Sequence, residues 1–473
     1  MRLTYVILSP TFGMHQYTAD LANRGGGLPV EGSKVQGSRS NGTASATAPL
    51  ADETITVITT TTLPRDRYDP RIAIRTPVTT HGTGFSREGL DLTAYRRVLA
   101  ECVGGHDQGP QVEGAQAAQA RPAVGFQPPA PSPQWSPQPP APSPQPPVKP
   151  PVVHFTGVHA WNVPLVHALR RRGIAVVHTL HDLDPHHGVR YPALIRLWNR
   201  LIIASGCHLL VHGRRYRDQL LAAGVPAGRI TCTPLLHGFL GAERQAEVEA
   251  FAEAEAQAEP EDDSGRPHTP LNLDLNLNLN LNLNLNPVLF FGRVEAYKGV
   301  DTLLAAWAEA TENPRKNSSN SSNSWQSSGL IIAGPVAPGL TLPPLPPTVE
   351  LRDRRIADAE AEALFRATAL LVLPYRDATQ SALVAAAYTF GVPVIVTAVG
   401  ALPEYVIPGS TGWVVPAGDP AALAAALGEA LADRPRLRRM GAAGRAWFAA
   451  RRCEEQAALS EMYGALFADP RGF

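Results

Sequence analysis

Short apolar runs separated by helix-length stretches recur along most of this chain. In the first half they are Thr4–Ser9, Thr54–Thr59, Val152–Thr156, Ala175–Leu180, His208–His212 and Arg229–Pro234. In the second half they are Val288–Gly292, Gly329–Ala333, Thr348–Leu351, Ala369–Pro374, Val392–Thr397 and Trp413–Val415. Continuous apolar runs of this length belong to strands buried on both faces. Their alternation with helical segments predicts parallel sheets covered by helices on both sides. Because the pattern occurs twice, it predicts an α/β fold of two doubly wound, Rossmann-like domains, whose ligand sites lie at the carboxyl ends of the strands and face each other across a cleft.

Three segments break this pattern. Residues 25–50 are rich in Gly, Ser and Thr, and residues 104–150 pass into a Pro/Gln/Ser tract expected to be extended and solvated. Residues 243–286 begin with an Ala/Glu run and end in alternating Leu-Asn. That alternation has the period of a strand with one apolar face, and it reads equally as a repeat expansion tolerated in a linker. The resulting division is an N-terminal domain over 1–242, a low-complexity linker over 243–286, a C-terminal domain over 287–452 and a tail over 453–473. A length of 473 residues accommodates two cores of ordinary size.

Charge narrows the partners: Lys+Arg and Asp+Glu are equal at 42 each, so no global field draws the chain to nucleic acid, and no nucleic-acid partner is expected. Cys102, Cys207, Cys232 and Cys453 lack close spacing and read as reduced thiols. The first apolar run ends in Ser9-Pro10 without a small-residue cleavage site, which reads as a strand rather than a signal peptide. No apolar stretch approaches the roughly 20 residues of a membrane span. These features point to the cytoplasm and leave peripheral attachment at the membrane's inner face open.

The candidate chemistry sits at strand ends. After Val288–Gly292 a loop carries Arg293 and Lys298, two cations able to converge on a diphosphate, although the same pair would serve as solvated charges at a helix entrance. After Ala369–Pro374, the turn Tyr375 to Ser381 opens an Ala-rich helix whose first amides, near Ser381, Ala382 and Leu383, could receive a phosphate; Thr379 or Ser381 could equally just cap that helix. In the N-terminal half His181 and Asp182 end a strand and are expected at the cleft edge. Gly13 and His15, after the first strand, could present amides or an imidazole to a ligand, although a strand-to-helix turn needs a glycine anyway. His186 and His187 are adjacent in a turn, lack metal-site spacing and suggest no metal. His237-Gly238 reads as structural.

The segments FGRVEAYKG, PYRDATQSALVAAAYTFGVPVIVTAVGALPEYV and GSTGWVVPAGDPAALAAAL resemble the donor half of the retaining GT-B glycosyltransferases of family 4 (glycosyl transferases group 1). HFTGVHAWNVPLVHALRRRGIAVVHTLHDLDPHHG resembles the acceptor half of that family more weakly. The resemblance implies transfer of a sugar from a nucleotide-sugar donor to a sugar, lipid-linked or polysaccharide acceptor, with retention of configuration and no metal or other cofactor. It places the diphosphate on Gly292, Arg293 and Lys298, the distal phosphate or sugar near Ser381 to Leu383, and the reacting centre near His181 and Asp182. It gives Glu404 a loop-orienting or donor role, and it has the tail cross back to the first domain. Many family members carry two glutamates eight positions apart where this chain has Ala378 and Ala386; Asp377 or Gln380 would then supply the sugar contacts. A binding protein without turnover, a sugar-nucleotide epimerase of the same fold and a scaffold built on the low-complexity segments remain the alternatives.

Overall fold

The computed structural model describes residues 2–8, 12–25, 54–60, 65–78, 91–104, 151–185, 191–240, 244–250, 287–312 and 329–470. The Pro-rich and Leu-Asn tracts, His186 and His187 lie outside the described residues. Seven strands form the first sheet: β1 (Arg2–Val6), β2 (Thr54–Thr60), β3 (Ala73–Val78), β4 (Val152–Phe155), β5 (Ala175–Leu180), β6 (His208–Val211) and β7 (Ile230–Cys232). Their order is β3-β2-β1-β4-β5-β6-β7, and every neighbouring pair is parallel. The second sheet contains β8 (Val288–Phe291), β9 (Leu330–Ala333), β10 (Val349–Arg352), β11 (Leu370–Leu373), β12 (Val394–Thr397) and β13 (Gly412–Val415). Its order, β10-β9-β8-β11-β12-β13, is likewise all parallel.

The central strands are buried along their whole length, as in Leu370–Leu373, which is apolar on both faces, and Ala175–Leu180, which is mostly apolar but also buries His178 and Thr179. Every expected strand is present within three residues of its predicted ends. One strand escaped the sequence reading: β3, AIRTPV, carries Arg75 and Pro77 and is only partly buried. It lies at the sheet edge, where a proline's missing donor costs no ladder bond.

These sheets are covered by helices that include α1 (Phe12–Asn23), α2 (Leu92–Gly104), α3 (Asn162–Arg171), α4 (Pro192–Ala204), α5 (Arg214–Ala222), α6 (Val300–Glu312), α7 (Asp358–Ala367), α8 (Leu383–Thr389), α9 (Pro420–Ala432) and α10 (Arg434–Ala468). Strand order reverses between β1 and β4 in one sheet and between β8 and β11 in the other. Doubly wound sheets bind ligands at such switch points, so each lobe has a defined place for a site.

The tail is no separate element. Residue 453 falls in the middle of α10, a single helix of 35 residues. The helix packs on α8 in the C-terminal lobe and on β4 and β7 in the N-terminal lobe. Near its middle the buried Arg452 pairs with Asp20 of α1 at 3.2 Å, Glu249 at 2.7 Å and Glu455 at 2.8 Å. Further along, the Tyr463 hydroxyl meets His154 Nδ1 at 2.6 Å and Tyr5 at 3.4 Å beneath the first sheet. A second bridge is aromatic: Phe239, from the segment after β7, stacks on Phe291 at 5.9 Å and packs against Phe365 at 5.1 Å.

Candidate functional site

The loop after β8 is shaped by two glycines. Gly292 has φ +105°, and a methyl built on it would lie 3.5 Å from Lys298 Nζ and 3.8 Å from Leu383 Cδ1. Gly299 closes the loop with φ +67°, where a Cβ would collide with the Pro374 carbonyl at the end of β11. Both positions favour glycine, for conformation and for close approach. The loops of the two switch-point strands are therefore tied, with Arg376 N donating to Tyr297 O at 2.7 Å.

Lys298 is half-buried, its ammonium 5.6 Å from the centre of the Tyr375 ring. Burial pulls its pKa down to about 8; Glu295 opposes the shift and the charge of Arg293 adds to it. The chain has only four lysines among its 42 basic residues, and Lys298 is the single lysine among the described residues. Arg293 is more exposed, at 65%, and pairs with Glu295 at 2.8 Å. The two cations thus differ in standing: Lys298 is held at the switch point, while Arg293 is paired with Glu295.

The turn after β11 differs in part from expectation. Helix α8 has only seven residues, and the Ser381 hydroxyl accepts from the Leu383 amide at 3.3 Å. One of the amides expected to receive phosphate is therefore already met by a side chain. Asp377 and Ala382 are partly buried beside these groups, and Ala378 and Ala386 are buried.

The turn also reaches across the cleft. Thr379 Oγ1 donates to Asp182 Oδ1 at 3.0 Å, and Gln380 Nε2 donates to the His181 carbonyl at 3.1 Å and approaches His181 Nδ1 at 3.5 Å. Tyr216 of α5 donates its hydroxyl to the Thr379 carbonyl at 3.0 Å. The carboxylate of Glu404 accepts from the Arg214 and Arg215 amides at 2.6 and 3.0 Å, capping α5 of the opposite lobe. Glu404 therefore joins the lobes, and its oxygens are turned to α5 rather than to the β8 loop. Local patterns carried no signal for Thr379, Tyr216 or the Glu404 cap, because these contacts join residues 160 or more positions apart.

On the N-terminal side, His181 Nε2 lies 2.9 Å from the Thr156 carbonyl, which fixes the proton on that nitrogen and leaves Nδ1 as an acceptor toward the cleft. Burial, chiefly, holds its pKa down to about 3. Around it, Tyr17 makes edge contacts with the rings of His181 at 4.9 Å, His212 at 5.1 Å and His237 at 5.8 Å. His212 Nε2 and His237 Nδ1 find no hydrogen-bond partner among the described residues, and neither do both ring nitrogens of His15. Gly13 and His15 were expected in a turn; the helix begins at Phe12, so both lie in the first turn of α1. His237, which the sequence suggested was structural, belongs to this cluster of neutral imidazoles.

Comparison with known proteins accords with this geometry. Residues 286–433, which hold the β8 loop, the β11 turn and Glu404, match the family model for glycosyl transferases group 1. Over nearly its whole length the chain superposes on solved structures. Sucrose-phosphate synthase from Thermosynechococcus elongatus covers 99% of both chains at 17% identity with a TM-score of 0.58. HepE from Anabaena, in complex with UDP and glucose, covers 99% of both at 13% identity with a TM-score of 0.56. The fold is GT-B. Among curated proteins, D-inositol 3-phosphate glycosyltransferase of Streptomyces scabiei is 32% identical over 198 residues, 39% of this chain and 42% of that one. The same-named protein of Corynebacterium efficiens is 33% identical over 167 residues, 33% of this chain and 36% of that one. The chain thus spans less than half the length of the curated relatives it matches. In GT-B terms, the β8 and β11 loops form one wall of the interlobe cleft and the histidine-rich ends of β5 and β6 the other.

Proposed function

We propose that this chain is a glycosyltransferase whose C-terminal lobe binds a nucleotide-sugar donor and whose N-terminal lobe presents the acceptor. The placement of Lys298 carries the reading: a half-buried ammonium beside a side-chain-free backbone at the switch point, opposite His181 and Asp182. Transfer breaks the bond between the anomeric carbon and the diphosphate, and the departing phosphate oxygen gains negative charge. Lys298, joined by Arg293, stabilises that charge in a partly dehydrated setting, where a fixed cation acts most strongly. With two side-chain cations serving the leaving group, the reaction needs no divalent ion in this reading, and retention of configuration follows the family resemblance.

The sugar is placed between the lobes. Gln380 Oε1 is buried and without a partner among the described residues, while its amide is anchored on His181, so the oxygen is set to accept a sugar hydroxyl. Asp377 and Ser381 flank the same turn. Asp182 and the neutral His181 line the reacting centre, and His15 and Gly13 lie on the acceptor side. The acceptor is a sugar, a lipid-linked sugar or a polysaccharide, met in the cytoplasm. HepE, solved with UDP and glucose, favours a UDP-sugar donor for a chain of the same fold.

A thermal-shift screen with UDP, GDP, ADP and their sugars tests the reading, since a ligand at a hundredfold excess over Kd stabilises by about 2.7 kcal/mol. One nucleotide is expected to raise the melting temperature of the wild type and leave Lys298→Ala unmoved; an equal shift in the variant would refute the site. A second reading has its own support: with Ala378 and Ala386 where two carboxylates are common, the chain would bind a nucleotide sugar without turning it over. Tight binding with no product from any acceptor, read by mass spectrometry, would favour that reading.

A further inference from the structure

Parallel strands running from β4 to β7 with right-handed crossovers place α3, α4 and α5 on one face of the first sheet, and α3 packs directly on α4. The inner arc of α4 is buried through Trp198, Asn199 and Ile202. It is tied to the cleft, with Asn199 donating to the carbonyls of Asp182 at 2.8 Å and Leu183 at 3.3 Å. The outer arc is apolar where a solvated helix would be polar. Leu194, Leu197 and Leu201, at steps of three and four residues, are 42%, 53% and 45% exposed. Tyr191, at the head of the helix, is also exposed and has φ +67°, a conformation unfavourable for a side chain of its size. Four of the eight exposed large hydrophobic residues among those described fall in this one helix and its leading residue, so the patch is not random scatter.

The charge of this layer departs as sharply from the rest of the chain. Residues 162–223 contain nine arginines, no lysine, three aspartates and no glutamate, in a protein whose charges cancel over its whole length. Arg196 and Arg200 are exposed on the arc of α4 beside the leucines, and Arg171, Arg172 and Arg217 are exposed on the flanking helices. Asp218 is an exposed acid within α5. A helix with an apolar stripe, an aromatic at its head and arginines alongside suits the boundary of an anionic bilayer.

We propose that the outer arc of α4 docks on an anionic lipid surface, with the leucines entering the headgroup boundary and Arg196 and Arg200 pairing with lipid phosphates. A second copy of this chain is the poorer occupant, because closing the face on itself would set arginine against arginine. Docking places Asp182 about one helix diameter, roughly 10 Å, from the surface. Together with the transferase reading, on which this last step rests, it makes a lipid-linked sugar the acceptor class.

The test is sedimentation of the full chain with vesicles of phosphatidylglycerol and phosphatidylcholine, against phosphatidylcholine alone. The wild type is expected to pellet with the anionic vesicles only. Two variants, Leu194→Gln/Leu197→Gln/Leu201→Gln and Arg196→Glu/Arg200→Glu, are each expected to reduce the bound fraction about tenfold, with melting temperature and nucleotide-induced shift unchanged. The nucleotide shift is read separately, so docking and donor binding fail independently. Absence of binding to anionic vesicles, or undiminished binding in both variants, would overturn the proposal. So would a dimer in sedimentation velocity that the leucine variant abolishes while vesicles bind neither protein.

Discussion

The two lobes repeat one parallel architecture and finish it with different chemistry. All fourteen histidines precede residue 287, and among the described ones His181, His212 and His237 lie just past β5, just past β6 and in the segment after β7. The C-terminal lobe has none there; its corresponding strands end in Gly292 and Pro374 beside Lys298. Burial holds His178 and His181 down to about 3 and His212 to about 4, so these imidazoles are neutral at neutral pH. Neutral imidazoles exchange hydrogen bonds with hydroxyls and offer little to a diphosphate, whereas a bare backbone beside an ammonium does the reverse. Under the proposed function, one fold would sort donor from acceptor by what its strands carry at their ends.

That contrast can be broken at either wall. The largest effect is expected from Lys298→Ala, which is predicted to lower turnover about 10²- to 10³-fold with the fold intact, measured as product formed from the best-bound nucleotide sugar. Lys298→Arg is predicted not to restore it, because the guanidinium is broader and cannot occupy the same gap beside Gly292.

Acid should act on the other wall. Each buried imidazole titrates lower in the folded chain than its ordinary 6.5, so the unfolded chain holds more protons between about 3 and 6.5. The resulting stability is complete above 6.5 and is lost as pH falls toward 3. At pH 5 the cost for His178 alone is roughly 2 kcal/mol. Hydrogen exchange is expected to show β4 to β7 opening before β8 to β13; simultaneous opening would remove the distinction between the walls.

Alkali sharpens the comparison from the opposite side. Lys298 loses its proton near pH 8, so nucleotide affinity measured by calorimetry is expected to fall about tenfold between pH 7 and 9. The smallest effect is assigned to Glu404→Ala, which removes the cap on α5 and is expected to cost about 1 kcal/mol in thermal unfolding, with neither wall's chemistry altered.

Strand positions and the β8 loop were legible in the sequence because buried parallel strands and glycine-punctuated turns are local patterns. Lys298 could be found from its spacing after Gly292. Its rank above Arg293 could not, since that depends on burial against Tyr375 and on the ion pair with Glu295. The double duty of Thr379 and Gln380, which serve the β11 turn and hold His181 and Asp182, was invisible because it joins residues nearly two hundred positions apart. β3 was missed for a different reason: an edge strand is not required to be apolar on both faces.

The long C-terminal helix has a consequence for biosynthesis. As the chain leaves the ribosome, β1 and β4 emerge early, but Tyr5 and His154 gain their shared hydroxyl partner only when Tyr463 has been made. Domains that fold as they are translated usually complete in order from the amino end. Here the N-terminal lobe gains buried hydrogen bonds from a residue made 309 positions after His154, so cutting the chain within α10 ahead of Tyr463 would leave that sheet unfinished.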